Sequence, residues 1–425
     1  MIESAPLRIT LNLAAVALAG FLSLGAAPRA NADEILIADQ ATNRVIALDA
    51  TTGDFIRTVT STGLDLPSSL SFGPGGSLYA ANFGAYAGPG SAASVVRINP
   101  ATGATTPFID TIAGPGAVAY DPIGTPNNLF VSKLADFEPT VDFSGNEVYQ
   151  YDAAGGLLRT IGTGSPATGR TGMAFDVDGH LYVAAFGFFS TGSVLEYDSD
   201  NNYASLGTYA TGAGMAIQGP PGAFIPSQAG GFNSLAFDAS GALYVAALTG
   251  TSVVKFTPQG ASVVGTQIDG PIAYPSGLLF DGGDLLITSL GNNNPSDPYY
   301  PGQTFPGTVL RYHPDTGAIT PFLVGDANRD NAVNGADLAV LKASLGTSAG
   351  GDLDGDLDTD GNDILLWQRN VGNQSASGSF LPTGIVRYAT GVGASIVPEP
   401  ATAGLAAAAA WGLSLVKVRR RRFFK

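Results

Sequence analysis

Short stretches of alternating apolar and polar residues recur along the chain between residues 33 and 323. Each repeat has a short apolar strand, an Asp-x-x-Gly turn, a second strand of the Leu-Tyr-Val-Ala type, and a third strand that ends near an aromatic residue. Copies of the first strand begin at or near Leu70, Val118, Gly172, Ser234 and Leu278. Alternation at every second residue indicates strands, and the repeat therefore predicts a body that is mainly β.

The third strand is the most regular part of the repeat. It recurs at 95–98, 148–151, 194–197, 253–256 and 309–312. A weaker outer strand follows at 106–108 and 320–322. Four strands at a pitch of roughly 40 to 60 residues are typical of propeller blades rather than of a sandwich. One blade cannot bury its apolar face alone, so we expect a closed ring of six blades as the unit of stability.

The first copy of the repeat lacks its inner strand, because 35–39 corresponds to a second strand. Residues 381–386 resemble 274–279, which predicts that the segment near the C-terminus supplies the missing strand and leaves no open edge. An equally economical alignment sets 385–388 against the third strand at 309–312. The sequence leaves both positions open.

This strand pattern resembles the NHL and gluconolactonase-like propellers, which usually have six blades. Lactonases of that class hold a divalent metal on the central axis with Glu, Asn and Asp, and propeller lyases rely on histidines there. Asn233 stands where such a motif places a metal-binding Asn, but Ala246 and Ala247 stand where the accompanying acid would be. The two histidines, His180 and His313, lie beside turns, and we expect solvent-side positions for both.

Two segments rich in aspartate lie 26 residues apart and match position for position. Loop 1 has oxygen-bearing side chains at positions 1, 3, 5, 9 and 12 and leaves position 7 to a backbone carbonyl: Asp326, Asn328, Asp330, Ala332, Asn334 and Asp337. Loop 2 repeats this spacing: Asp352, Asp354, Asp356, Asp358, Asp360 and Asp363. Calcium takes six to eight oxygens at about 2.3 to 2.6 Å, and a 12-residue turn can supply them. The spacing therefore predicts two calcium sites.

The duplication continues into two apolar rows spaced i, i+3, i+7, which predict a short amphipathic helix after each loop. The rows are Leu338, Leu341 and Leu345, and Ile364, Trp367 and Val371. Gly346 and Gly372 stand where C-caps would fall. The sixth loop position needs positive φ, which Asn331 tolerates and Leu357 adopts poorly.

Residues 325–372 thus resemble a type I dockerin, a calcium-folded module that docks onto cohesin domains. The resemblance implies an all-α pair of EF-hand-like loops and a cohesin-like partner. Positions ten and eleven, where such dockerins often carry partner-reading hydroxyls, are Gly335-Ala336 and Gly361-Asn362 in this chain. Exposed basic contacts would come from Lys342 and Arg369.

Both termini carry sorting features. Arg8, an apolar run over 11–25 and Ala30-Asn31-Ala32 predict a signal peptide over 1–32. At the other end, Val397-Pro398-Glu399-Pro400 precedes an apolar stretch over 401–416 and a cluster of Lys and Arg. Residues 397–425 resemble a PEP-CTERM sorting signal, which implies a transmembrane helix, cleavage by an exosortase and delivery to the cell surface. The alternative is a retained C-terminal membrane anchor.

Charge and composition narrow the choice of partners. Without 1–32 and 399–425, the chain would hold 12 Lys and Arg against 33 Asp and Glu, a net charge of −21. Such a surface repels nucleic acid, so we expect no nucleic-acid partner. With 0 cysteines, neither disulfides nor thiolate metal sites can contribute to the stability of the protein.

Aromatic residues in Gly- and Pro-rich loops could stack on a polysaccharide, or could pack between loops: Tyr86, Phe186, Phe188, Phe189, Tyr299 and Tyr300.

The predicted organisation is therefore a signal peptide (1–32), a propeller (33–323), an inserted dockerin-like module (324–373), a closing strand with linker (374–396) and a sorting signal (397–425). The leading hypothesis is an exported cell-surface or extracellular binding and assembly protein that contacts a polysaccharide or another envelope component. The alternative is a propeller enzyme, either a sugar lactonase or a polysaccharide-processing hydrolase or lyase attached to a degradative assembly. An enzyme would need acidic or Asn side chains that meet at one end of the central channel.

Overall fold

The computed structural model describes residues 33–389 except 85–92, 111, 113, 122, 124–127, 136–144, 146, 163–168, 187–191, 212–230, 249–251, 260–261, 270–271, 293–303, 305, 347–349 and 377–378. Within these residues, the strands form six four-stranded antiparallel sheets. The prediction of a mainly β, six-bladed propeller is confirmed. The predicted signal peptide and sorting signal lie outside the described residues.

The strands are numbered in chain order and grouped here by blade. Blade 1 contains β1 (Glu34–Asp39), β2 (Arg44–Asp49), β3 (Phe55–Thr60) and β24 (Pro382–Tyr388). Blade 2 contains β4 (Pro67–Phe72), β5 (Leu78–Asn82), β6 (Ser94–Ile98) and β7 (Thr105–Ile109), with a 3-10 turn over Pro74–Gly76. Blade 3 contains β8 (Pro115–Tyr120), β9 (Leu129–Lys133), β10 (Val148–Tyr151) and β11 (Leu157–Ile161).

The remaining strands complete the ring. Blade 4 contains β12 (Arg170–Phe175), β13 (Leu181–Ala185), β14 (Ser193–Asp198) and β15 (Ala204–Thr211). Blade 5 contains β16 (Phe232–Phe237), β17 (Leu243–Ala247), β18 (Ser252–Gln259) and β19 (Ser262–Asp269). Blade 6 contains β20 (Pro275–Asp281), β21 (Asp284–Ser289), β22 (Thr308–Tyr312) and β23 (Ile319–Pro321).

Blade 1 is assembled from both ends of the described chain. Strand β24 pairs antiparallel with β1, with Ile385 opposite Ile37 and Val386 opposite Leu36. It is the innermost strand of its sheet, whose order is β24-β1-β2-β3. This is the first of the two alignments considered above. The ring is closed because β24 also contacts the inner strands of both neighbouring blades, β4 and β20.

The core is divided into one apolar cluster for each of the six interfaces between neighbouring blades. Strand β1 shows how alternation produces this arrangement. Ile35 and Ile37 lie in the cluster shared with blade 6, whereas Leu36 and Ala38 lie in the cluster shared with blade 2. Both faces of the strand are therefore buried, and each blade depends on its two neighbours for burial.

Polar contacts reinforce these interfaces near the axis. The second residue of five inner strands donates a side-chain hydrogen bond to a backbone carbonyl of the next inner strand. The five donors and their distances are Ser68 at 3.3 Å, Thr171 at 2.7 Å, Asn233 at 2.8 Å, Ser276 at 2.7 Å and Thr383 at 2.7 Å. Each such bond contributes about 0.5 to 1.5 kcal/mol net, and loss of one would leave a buried carbonyl unsatisfied.

Blade 3 has glycine at the equivalent position and uses a different residue for the same contact. A Cβ on Gly116 would lie 2.4 Å from the carbonyl oxygen of Arg170, so a side chain does not fit there. Ser132, on the adjacent strand β9, donates to the carbonyl of Thr171 at 2.5 Å instead. All six interfaces therefore carry a side-chain hydrogen bond to the next blade.

The chain leaves the propeller between β23 and β24 to form an insert with two helices, α1 (Gly335–Ser344) and α2 (Gly361–Asn370). A small core of Ala327, Leu341 and Leu353 is buried between its halves. The predicted apolar rows are wrong at their last members. Leu345 and Val371 are the C-cap residues, and each is 53% exposed because the helices end one residue earlier.

Candidate functional site

The two loops of the insert share one backbone conformation. The carboxylate at position 1 accepts a hydrogen bond from the backbone N–H at position 6, from Asn331 to Asp326 at 2.8 Å and from Leu357 to Asp352 at 3.1 Å. Both residues at position 6 have positive φ, 69° for Asn331 and 75° for Leu357. The left-handed turn expected at this position is present in both loops, including the one in which Leu must adopt it.

Positions 9 and 12 form a capping box at the start of each helix. Asn334 caps α1 and Asp360 caps α2, and each side chain accepts a hydrogen bond from a backbone N–H of the first turn. In return, the carboxylates of Asp337 and Asp363 accept from the N-cap backbone N–H at 2.7 Å in both loops. These hydrogen bonds, with the positive end of the helix dipole, hold the side-chain oxygens of positions 9 and 12 at the start of each helix.

The halves of the insert are paired by a reciprocal contact. The glycine after each helix donates to the position-8 carbonyl of the other loop, from Gly372 to Val333 at 2.9 Å and from Gly346 to Thr359 at 2.8 Å. The indole of Trp367 adds a bond to the carbonyl of Asn334 at 2.7 Å. The sequence duplication is therefore reproduced as an approximate twofold arrangement of loops.

Loop 1 is buried. The side chains of Asp326 and Asp337 are both inaccessible to solvent. Burial raises the pKa of Asp326 to about 7, and the nearby charges of Asp337 and Asp330 act in the same direction against the hydrogen bonds from Asn331 and Asp330. Burial lowers the pKa of the Arg329 guanidinium, which the charge of Asp326 partly offsets.

Loop 2 is more exposed and more acidic. Its six aspartates form two groups in which the carboxylate oxygens lie within 4.8 Å of one another: Asp352, Asp354 and Asp356, and Asp358, Asp360 and Asp363. Burial and the adjacent charges of Asp363 and Asp356 raise the pKa of Asp354. Within the described residues, Asp363 is the one buried carboxylate of this loop. The structure therefore brings the predicted ligands of loop 2 together.

The donor set of both loops fits calcium. None of the ion pairs among the described residues includes a loop aspartate. A carboxylate that accepts backbone hydrogen bonds keeps lone pairs for a cation, and the donors are oxygens alone, which a hard cation prefers. In loop 1, the amide of Asn328 contacts Asp330 at 2.9 Å, and the carbonyl of Ala332 accepts from the Asn334 amide at 3.0 Å.

A cavity of about 470 Å³ lies on the propeller axis and is lined by the inner strands of all six blades. Glycine, serine, alanine and aliphatic residues form most of its wall. The polar side chains in this wall that are best suited to metal binding or acid–base chemistry are Asn233, Asp121, Asp281 and Arg387. These are the residues that the enzyme hypothesis would need.

Each of these polar side chains has a structural partner. The amide of Asn233 donates to the carbonyl of Ser276, as described above. Asp121 accepts from the backbone of Ile123 at 2.9 Å and from the hydroxyl of Tyr203 at 3.2 Å. Asp281 forms an ion pair with Arg387. Among the described residues, no group of three acidic or histidine side chains converges on the cavity.

The two histidines lie beside turns, and their side chains are 27% and 21% exposed for His180 and His313. His180 lies among three carboxylates, at 3.5 Å from Glu196 and at 3.8 Å from both Asp176 and Asp198. His313 lies between Asp284 at 3.1 Å and Thr320 at 3.0 Å. Asp176 lies four residues before His180 in the chain, whereas Glu196 and Asp198 come from β14, and the sequence around His180 does not indicate these two.

Of the aromatic residues considered for sugar stacking, Phe186 is buried at 7% exposure and the others lie outside the described residues.

None of the helices that the structure describes has the length and apolar character needed to cross a bilayer. The apolar stretch over 401–416 lies outside the described residues.

Comparison with known proteins gives structural similarity only. No family model matches the chain, and no curated protein matches it. A streptogramin B lyase structure is 11% identical over 68% of this chain and 72% of the lyase, with a TM-score of 0.38. A protein of unknown function from Bacteroides caccae is 13% identical over 66% of this chain and 90% of that protein, with a TM-score of 0.45. Neither similarity bears on ligand or activity.

Proposed function

We propose that this protein is an exported binding and assembly protein of the cell surface or extracellular space, in which a propeller carries a calcium-dependent docking insert. The observation that carries the proposal is the pair of matched loops, whose nine aspartates lack an ion-pair partner within the described residues. So many carboxylates repel one another without a cation, and calcium would relieve this repulsion.

Each calcium ion would be held by its own loop. In loop 1 the ligands would be Asp326, Asn328, Asp330, Asn334 and Asp337 with the carbonyl of Ala332. In loop 2 the side chains of Asp352, Asp354, Asp356, Asp360 and Asp363 would serve with Asp358 at position 7. The ion supplies no reaction chemistry in this proposal. Its role is to neutralise the carboxylates and so to order the insert.

The insert has surface suited to a cohesin-like partner. Leu357 and Leu365 are 50% and 41% exposed, and they supply apolar contact area on the outer side of loop 2 and α2. Lys342 and Arg369 are exposed near the helix ends and would supply the polar rim. A mixed apolar and charged surface of this kind is typical of transient protein interfaces.

The propeller would present its axial cavity and loops to a polysaccharide or another envelope component, since propeller mouths are common binding locations. Delivery would follow from the N-terminal signal peptide and the PEP-CTERM-like tail, which implies exosortase processing. Before cleavage the tail would hold the protein in the membrane through its apolar stretch.

Calorimetric titration of the purified protein with calcium tests the metal proposal. We expect two equivalents to bind, magnesium to compete poorly because it demands smaller octahedral geometry, and EDTA to reverse the signal. Absence of heat and of any rise in thermal stability would overturn it.

Pull-down from the native cell envelope with and without calcium tests docking. The docking proposal requires that a partner is captured only in the presence of calcium.

A further inference from the structure

The insert is joined to the propeller mainly through loop 1. The side chain of Asn331 donates to the carbonyl of Gly307, directly before β22, at 2.7 Å. The guanidinium of Arg329 donates to the carbonyl of Ile319 in β23 at 3.4 Å. Loop 1 is thus bound to blade 6 at two points.

The same loop is also bound to the segment that leads to β24. The hydroxyl of Ser375 donates to the side-chain oxygen of Asn331 at 2.9 Å, and its backbone N–H donates to the Asn331 carbonyl at 3.2 Å. Asn331 and Ser375 are 5% and 4% exposed, so these bonds are shielded from water. One buried amide therefore joins blade 6 to the chain that closes the ring.

The closing segment then reaches blade 1. The backbone N–H of Gln374 donates to Asp54 at 2.9 Å, and the N–H of Phe55 at the start of β3 donates to the carbonyl of Gln374 at 2.7 Å. We call Arg329, Asn331, Gln374 and Ser375 the clasp. Its members contact both blades that meet at the seam between the two ends of the propeller.

Close packing at the seam explains why the clasp would matter for closure. A Cβ on Gly307 would lie 2.0 Å from the carbonyl oxygen of Phe380, two residues before β24. The position of Gly307 therefore constrains the start of the closing strand, and the Asn331 amide constrains Gly307. Ring closure by one strand is the step on which burial in every blade depends.

Loop 2 has no equivalent role within the part of the chain that the structure describes. Its hydrogen bonds remain inside the insert, and it meets the propeller where Gly355 packs on the ring of His313. Leu357, which matches Asn331 in position and backbone conformation, is 50% exposed. The two halves of the insert thus differ in their attachment although their geometry is shared.

We propose that the clasp, through Asn331 and Arg329 of loop 1, holds the propeller ring closed, whereas loop 2 has no part in closure. The contacts that support the clasp do not involve a metal, so the proposal stands independently of calcium binding. It means that the insert is part of the propeller's closure rather than a separable appendage, and that disorder in loop 1 would propagate to β24.

The test compares Asn331→Gly with Leu357→Gly in the purified full protein, because glycine accepts positive φ at both positions. Hydrogen exchange is followed in β24 and β1, with β12 and β13 on the far side of the ring as internal reference. Asn331→Gly leaves the Gly307 carbonyl and the Ser375 hydroxyl unsatisfied, and we expect exchange in β24 to rise about ten- to a hundredfold. Leu357→Gly should leave it within about twofold of wild type.

Ser375→Ala is a milder variant in case Asn331→Gly fails to fold, and a smaller rise confined to β24 and β1 is expected from it. Equal effects of both glycine variants, or changes restricted to the insert, would overturn the clasp. Calorimetry on the same variants separates this result from the proposed function. If the protein binds calcium but Asn331→Gly leaves hydrogen exchange in β24 unchanged, the clasp alone is refuted. If exchange in β24 rises but the protein binds no calcium, the metal proposal alone is refuted.

Discussion

Loop 1 and loop 2 of the insert have the same spacing, the same left-handed sixth residue and the same capping box, yet they lie in different environments. Loop 1 is packed against blade 6 with two inaccessible carboxylates, whereas loop 2 displays most of its six aspartates to solvent. Exposed charges repel one another weakly because water screens them, and buried charges are costly to ionise. The same ligand pattern can therefore produce two sites with different electrostatics and different consequences for the rest of the protein.

Replacement of the first ligand in each loop should give the largest contrast. In calcium at 100 to 1,000 times the dissociation constant, Asp326→Ala is expected to lower the free energy of global unfolding by about 3 to 4 kcal/mol, because metal linkage at loop 1 is lost. Asp352→Ala should remove one calcium equivalent with a smaller effect on the propeller. Chemical denaturation and calorimetry measure both. Equal losses of propeller stability would remove the distinction between the loops.

The pH dependence of the metal-free protein should also separate the loops. The pKa of Asp326 in the folded protein is about 7 against an ordinary value of 3.8, so between these pH values the folded state holds a proton that the unfolded chain has released. Stability in EDTA should therefore fall by about 4 kcal/mol as pH rises from about 4 to 7, and then level off. Asp326→Asn should remove most of the decline, and Asp352→Asn should retain it. A decline of undiminished size in Asp326→Asn would assign it to another group.

The contact between the halves can be weakened without touching a ligand. Trp367→Phe keeps most of the apolar packing and removes the indole bond to Asn334, which should cost about 1 kcal/mol. Calcium titration should then show weaker coupling between the two sites. Leu365→Ala on the exposed side of α2 is the matched control and should leave coupling unchanged. Coupling that survives in Trp367→Phe would indicate that the reciprocal glycine contacts suffice.

The smallest effect is expected where the loops differ in strain. Leu357→Asn gives loop 2 the residue that loop 1 has at position 6, and it should raise the stability of the insert by about 0.5 kcal/mol because Asn tolerates positive φ. Thermal unfolding by calorimetry can resolve the change. A loss of stability would show that the half-exposed Leu357 side chain packs in a way that outweighs its backbone strain.

Much of the propeller could be predicted from local pattern. The third strands and the turn-linked inner strands appear where period-two alternation and glycine turns indicated them, because every strand must present apolar side chains to its neighbours. The helix boundaries were less predictable. Leu345 and Val371 continue the apolar rows, but the N-cap and the glycine after each helix limited the helices to fewer residues than the rows suggested.

Other features depended on contacts between residues far apart in the chain. In blade 3, Ser132 supplies the hydrogen bond that Gly116 cannot make. Nothing in the sequence around either residue indicates that Ser132 takes this role. His180 lies near Glu196 and Asp198, which both come from strand β14 of its own blade. Asn331 was notable in the sequence only as a residue that tolerates positive φ, whereas its amide lies between blade 6 and the closing segment.

The sequence by itself determined the strand period, the six repeats, and the matched ligand spacing of the loops, because these depend on side-chain alternation and on hydrogen bonds between residues close in the chain. Only the tertiary structure decided which of two alignments β24 adopts, which loop packs against blade 6, and which carboxyl groups acquire a raised pKa. Burial depends on what the folded chain places against each residue, and residues as distant as Asn331 and Gly307, or Ile37 and Ile385, meet only when the ring is closed.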